Sequence, residues 1–289
     1  MSIERRLTST TKIFCVIGYP IEHSMSPIMW NPALKELNLD FIYVAFSVHP
    51  KNLEKAIEGM KVMGIKGINV TLPHKQEIMK FIDEIDPIAQ KIGAVNTIKN
   101  DEGILKAKNT DAGGAKKSLL EKGCEVEGKN VLILGSGGVA RSITYILAED
   151  ANKIVVTDLI EEKALLIANE IKELMGVNIE GKISSEKNIK IAIKNSDILI
   201  NATPVGMSPN IHDTPVSMDL LHPDLFVFDV VYNPLTTRLM REAARVGCKT
   251  LSGLDMLINQ GVLAFEWWTN QKPNKELMKK KIIEYLGLV

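Results

Sequence analysis

Cysteine is scarce in this chain of 289 residues: Cys15, Cys124 and Cys248 stand far apart, odd in number and without a Cys-x-x-Cys pair. A disulfide framework and a thiolate zinc site are thereby not indicated, and buried free thiols in a reducing compartment are expected instead. Net charge is lacking too. The 35 Lys and Arg balance 35 Asp and Glu, so no field of one sign exists to draw nucleic acid or an anionic membrane. The runs "MKKKIIEY" and "EEKALLIANEIKEL" read as mixed-charge helix faces, not basic arms. No apolar run approaches the roughly 20 residues needed to span a bilayer. The opening "MSIERRLTSTTK" is charged and has no apolar core, so no secretory signal is expected there. Repeats and low-complexity segments are missing as well. A soluble cytoplasmic protein is expected, with no nucleic-acid or membrane partner; a homodimer is left open.

What is present is an alternation of strand-like and helix-like segments, which points to an α/β protein with parallel sheets. The length allows two domains, and 45% hydrophobic with 24% charged residues is ordinary for a globular chain. "KIFCVIG" reads as a buried strand. Ser26-Pro27 then reads as a helix cap followed by proline at the first helical position, with Pro32 expected to kink or shorten that helix. "FIYVAFSV" and "GINV" are further strands, separated by the amphipathic "PKNLEKAIEGMKVMG". "AVNTIKNDEGILKAKNTD" reads as a hairpin turning near Asp101-Glu102-Gly103. From Gly128 a second unit of strands and helices begins. Two terminal helical patterns, near 255–270 and 274–287, are expected to pack back on the first domain.

Residues 69–75, "NVTLPHK", place a lysine just beyond a strand and a proline turn. Loops carried by rigid elements are where chemistry gathers, but a lone lysine is usually a solvated one. Lys75 therefore needs company before it means anything.

"VLILGSGGVA" provides a second signal. Gly135, Ser136, Gly137, Gly138, Val139 and Ala140 join a strand to a helix, so that backbone N–H groups and the positive end of the helix dipole face a pyrophosphate. Asp158 ends the following strand, where a carboxylate accepts hydrogen bonds from the adenosine ribose hydroxyls. The same charge repels a 2′-phosphate, and "TDLIEEK" holds no arginine to grip one. NAD is favoured over NADP on these grounds, with Lys163 the nearest base able to rescue phosphate binding.

Eight short motifs now stand in order: "HSMSP", "NVTLPHK", "GAVNT", "NTDAGG", "GSGGVA", "NATPVGM", "DVVYNPLTT" and "GLDMLINQ". Together they closely resemble the shikimate dehydrogenase family, over about residues 12–288. The resemblance implies a two-domain α/β fold. An α/β substrate domain (1–111 and 254–289) would accompany a Rossmann-like, doubly wound dinucleotide domain (112–253), with ligands at the carboxyl ends of both sheets. It implies reversible, NAD(P)-dependent reduction of 3-dehydroshikimate to shikimate on the route to chorismate and the aromatic amino acids. Carried over by motif, Ser24 and Ser26 match hydroxyls that bind the substrate carboxylate. Thr71, Asn96, Asp111 and Gln260 match ligands of the ring hydroxyls, with Asn69 beside them. Lys75 and Asp111 match the catalytic pair, an ammonium that donates to the developing alkoxide and a carboxylate that holds it. Tyr232 matches a tyrosine near the substrate carboxylate. Thr203 and Met207 match the loop flanking the cofactor, and Gly253 a backbone position beside the nicotinamide. His74 reads as a structural loop residue, and no metal is implied.

The chain departs from the family pattern at three places. Asp158-Leu159-Ile160 stand where NADP-using members usually carry Asn-Arg-Thr, Asp255 replaces a frequent glycine, and Pro32 interrupts a helix. A quinate or dual quinate/shikimate dehydrogenase using NAD is the near alternative. A non-catalytic dinucleotide and metabolite sensor is the alternative of another class, opposed by the presence of Lys75 with Asp111.

Overall fold

A computed structural model describes residues 7–287; the start of the charged opening stretch, and both chain ends of the expected substrate domain, lie outside the described residues. The chain divides into two compact units, Met1–Thr110 with Gln260–Val289 and Asp111–Asn259.

The first unit runs β1 (Lys12–Gly18), α1 (Ser26–Glu36), β2 (Phe41–Ser47), α2 (Leu53–Val62), β3 (Gly67–Val70), β4 (Glu84–Ile85), α3 (Pro87–Ile92), β5 (Thr97–Asp101) and β6 (Ile104–Lys108). Its sheet has the order β2-β1-β3-β5-β6-β4. This sheet is mixed, as the hairpin read in the sequence requires. β1 pairs in parallel with β2 and β3, but β5 runs antiparallel to β3 and β6. The physical reason is the tight β5–β6 connection through Glu102 and Gly103, both at positive φ; a short hairpin can only join antiparallel neighbours.

Two readings of α1 also need correcting. Ser26 is the first helical residue and not the cap: Met25 holds that place, with no side-chain cap bond. The Ser26 N–H instead donates to Ser24 Oγ at 3.4 Å. Pro32 does not stop the helix, which continues to Glu36. Its apolar face buries Met29, Trp30, Ala33 and Leu34, and that burial outweighs the roughly 3 kcal/mol an interior proline costs.

The second unit runs α4 (Thr110–Glu121), which opens on the last residue of the first unit, β7 (Asn130–Leu134), α5 (Gly138–Ala148), β8 (Lys153–Asp158), α6 (Glu161–Met175), β9 (Ile179–Ile183), α7 (Glu186–Lys194), β10 (Ile198–Asn201), β11 (Phe226–Asp229), α8 (Arg238–Val246) and β12 (Lys249–Ser252). All its strands are parallel, in the order β12-β11-β10-β7-β8-β9. That is a doubly wound sheet whose strand order reverses between β7 and β10, the place where such sheets bind ligands. Both faces are covered: Val131, Ile133, Ile154 and Val156 pack with α5 and α6, while Leu132, Leu134, Leu199 and Val227 pack with α7 and α8. β9 and α7 escaped the sequence reading, because "NIEGKI" is short and weakly apolar.

α9 (Gly253–Thr269) begins in the second unit and ends in the first, and α10 (Lys275–Tyr285) follows it. α10 lies along α1. Phe265 of α9 stacks on Trp30 at 5.1 Å between ring centroids, and Trp268 meets Trp30 at 4.9 Å and Phe14 at 4.7 Å in tilted contacts. Gly67 must be glycine, since a Cβ there would lie 2.6 Å from the Trp268 ring.

Candidate active site

In the first unit the carboxyl ends of β1 and β3 and the start of β5 gather a chain of buried polar side chains. Asn69 lies on β3 and is buried. Its Nδ2 donates to Asn96 O at 3.2 Å and Thr97 Oγ1 at 3.1 Å, and its Oδ1 accepts from the Tyr43 hydroxyl at 2.7 Å. Asn96 donates to Thr110 Oγ1 at 3.0 Å and to Gln260 Oε1 at 3.4 Å. Its Oδ1 accepts from the Thr110 backbone N–H at 2.7 Å, which caps the start of α4 from the segment leading into β5. Buried polar groups must be paired in this way or pay desolvation. Asn69, Asn96 and Gln260, three of the sequence candidates, therefore come together. Thr71, half-buried, is held over the same end by its N–H to Ile17 O at 2.9 Å. Gly18 permits that approach, because a Cβ there would sit 2.5 Å from Thr71 Cγ2. Ser24 is half-buried and Ser26 buried at the opening of α1.

Lys75 is 6% exposed, on the turn after β3, and its carbonyl accepts from Val95 N–H at 2.8 Å. The neighbouring His74 is structural, as expected. Its Nε2–H donates to Val48 O at 2.7 Å, and burial lowers its pKa, so it stays neutral near pH 7. Asp111 was expected in a loop, but it occupies the first turn of α4, buried. An acid is favoured there by the helix dipole. Lys75 belongs to the first unit and Asp111 to the second.

In the second unit the glycine turn sits where the sheet reverses. Gly135 has φ +99° and its N–H donates to Thr157 O at 2.7 Å; a Cβ there would lie 3.0 Å from Ala202 O, in the loop after β10. α5 then starts at Gly138, after Gly137, with no acid in its first turn and no side-chain cap. A Cβ on Gly137 would meet nothing within 4 Å. Unblocked N–H groups with open space before them suit the pyrophosphate of a dinucleotide, and the residues present fit that group. Val139 is half-buried and Ala140 buried, packing the helix on the sheet. Ser136, one of the residues expected to meet the cofactor, donates its hydroxyl to Asp158 Oδ2 at 2.6 Å. Asp158 Oδ1 accepts Ile160 N–H at 3.0 Å. The carboxylate is thus held at the end of β8 by two donors. Lys163 is exposed in the first turn of α6.

The loops after β10 and β11 are bolted by a group the sequence reading passed over. Asp229, fully buried, accepts from Thr237 Oγ1 at 2.5 Å, Asn201 Nδ2 at 2.9 Å and Val231 N–H at 3.1 Å. Burial pushes its carboxyl up to about 6, against those three bonds. Asn201 in turn accepts from Thr203 Oγ1 at 2.6 Å, which shapes the turn leading to Met207. Tyr232 keeps some exposed surface, yet desolvation pushes its phenol up to about 12. Gly253 opens α9 so close to β11's loop that a Cβ would lie 2.0 Å from Val230 O. Asp255 falls in the first turn of that helix, where the dipole accommodates an acid. Among the described residues no group of His, Cys, Asp and Glu is arranged to hold a metal.

A relative from Methanocaldococcus jannaschii, a shikimate dehydrogenase (NADP+), is 47% identical over 96% of this chain and 98% of its own length. The chain belongs to the shikimate dehydrogenase family. Residues 16–98 match that family's substrate binding domain and residues 253–283 its C-terminal domain. A crystal structure of a shikimate dehydrogenase in complex with NADP+ superposes with a TM-score of 0.91, at 45% identity, covering 98% of each chain. The family's Listeria monocytogenes member, solved with shikimate and NAD, gives a TM-score of 0.88 at 37% identity, covering 97% of this chain and 99% of that one. The doubly wound second unit and the α/β first unit are those of the family.

Of the residues the structure brings into play, Thr97, Thr110, Asn201 and Asp229 lay inside the quoted motifs and were legible as candidates. Tyr43 lay in none, and strand alternation alone gave no hint of its role.

Proposed function

We propose that this chain catalyses the reversible, NAD(P)-dependent reduction of 3-dehydroshikimate to shikimate. The observation that carries this is the pairing of a buried polyol-type polar cluster (Asn69, Asn96, Thr110, Gln260) in one unit with an uncapped glycine turn at the strand-order reversal in the other. The nicotinamide supplies or accepts the hydride when bound. Ser24 and Ser26 bind the substrate carboxylate, and Thr71, Asn69, Asn96 and Gln260 hold the ring hydroxyls. Lys75 delivers the proton to the oxygen left on the reduced carbon, and Asp111 orients the ammonium. Tyr232 closes on the carboxylate side. Gly135, Gly137 and Gly138 carry the pyrophosphate, with Thr203, Met207 and Gly253 along the nicotinamide half.

Asp158 is the specificity element for the adenosine end. Its carboxylate, aimed by Ser136 and Ile160, accepts from a ribose hydroxyl and repels a 2′-phosphate, which favours NAD; Lys163 is the base that tolerates NADP. Relatives named for NADP+ and a family structure holding NAD together fit a chain that handles both. A cytoplasmic location suits such a reaction, and no described helix is long and apolar enough to cross a membrane.

The test is turnover of shikimate and quinate with NAD and with NADP, in the parent and in Lys75→Ala. Shikimate should be the better acid. Lys75→Ala should lose at least about a hundredfold in kcat, the scale of general acid catalysis, with substrate KM little changed. Parent-level turnover in that variant would remove Lys75 from the chemistry. Bound cofactor with no substrate-dependent reduction in the parent would restore the sensor reading.

A further inference from the structure

We propose that Tyr43 is a positioning residue for the substrate: its phenol fixes the Asn69 amide so that only the amide oxygen faces the ligand. The proposal rests on the reading above of Asn69 and Ser26 as substrate-binding residues.

The argument starts from hydrogen-bond capacity. A primary amide offers two N–H donors and two oxygen lone pairs. Asn69 uses both donors inward, on Asn96 O at 3.2 Å and Thr97 Oγ1 at 3.1 Å. One lone pair takes the Tyr43 hydroxyl at 2.7 Å. One acceptor position remains. Turning the amide over would set its oxygen against the Asn96 carbonyl, acceptor to acceptor, so the orientation is locked. Asn69 can then receive a hydrogen bond from a ring hydroxyl but cannot donate one. A ligand presenting a keto or ether oxygen at that point is disfavoured, because two acceptors would face each other without a proton between them.

Tyr43 is suited to hold this state. It lies at the middle of β2, 1% exposed, with its ring stacked on Trp30 at 4.9 Å between centroids. Burial keeps the phenol protonated and therefore a donor. It acts on the ligand through Asn69.

Tyr43→Phe removes the hydroxyl and keeps the ring on Trp30. Shikimate KM should rise about three- to tenfold, the equivalent of one net hydrogen bond, while the cofactor KM stays within about twofold. In an Asn69→Ala background the same change should add less than about twofold, because the group through which Tyr43 acts is gone. Parent-like shikimate KM in Tyr43→Phe, equal increments in both backgrounds, or a parallel rise in cofactor KM would each overturn the proposal. Ser26→Ala is measured alongside. If it leaves shikimate KM unmoved, the premise about the site fails, and the proposal with it; if it raises KM and Tyr43→Phe does not, only the proposal fails. Should Tyr43→Phe not accumulate as folded protein, Thr97→Val tests the same amide from its other end, with the same expected rise in shikimate KM and the same overturning results.

Discussion

Asp229 shows how one side chain serves both shape and titration. Its carboxyl is buried with three donors around it, yet desolvation still wins and lifts its pKa from 3.8 to about 6. A carboxyl raised on folding takes up a proton as the chain folds in that window. Its contribution therefore favours the fold below about pH 4 and is lost as pH rises toward about 6, by on the order of 3 kcal/mol for a shift of this size. Asp229→Asn cannot titrate. Denaturant unfolding at pH 4.5 and 7.5 should show the variant gaining on the parent at the higher pH, and a pH-independent difference would reject this account. His74 makes the opposite contrast. It stands beside Lys75, the proposed proton donor, but with its Nε2–H given to a carbonyl it pins a loop.

Among the elements, α1 and β2 show a helix doing the work of a strand. β2 is an outermost strand of its sheet. Asn31 of α1 accepts from Tyr43 N–H at 2.9 Å and donates to Tyr43 O at 2.9 Å, so one amide satisfies both backbone groups on the free side. It also donates to Pro27 O at 3.0 Å within its own helix. An open strand edge is a liability that proteins cover in some way; here the cover also sets the height of Tyr43. Asn31→Ala should lower unfolding free energy by about 2–3 kcal/mol, from orphaned partly buried backbone groups. It should move shikimate KM in the same direction as Tyr43→Phe. A variant as stable as the parent in urea would show that solvent replaces the amide without penalty. The sequence marked α1 for its proline, and the structure shows that the residue before it matters more.

At the scale of the whole molecule the glycine turn, the held carboxylate of Asp158 and the bolted loops after β10 and β11 make up the edge of the second unit proposed to bind the dinucleotide. Ligands that bind only the folded state raise its stability with concentration. NAD should raise the melting temperature more than NADP at equal concentration, and Asp158→Asn should narrow or reverse that order by removing the charge opposite the 2′-phosphate. Equal shifts in parent and variant would take Asp158 out of cofactor choice. The cofactor turn was readable because its parts are adjacent in the chain: a strand, three glycines and a helix carry their own geometry. The mixed sheet of the first unit was less so, since hairpin direction depends on which strand β5 meets. Asp111 closes the stretch read as a hairpin, and tertiary packing made it a helix start instead.

By itself the sequence determined the alternation of elements, the glycine turn with its acid at the next strand end, and the motifs that place the chain in its family. All of these are local, settled by neighbours a few residues apart. Only the tertiary structure decided which way each buried amide points. Asn96 reaches Gln260, and Asn69 reaches Tyr43, across long stretches of chain. The direction of a hydrogen bond is set by the partner that burial supplies, and that partner is not written next to it.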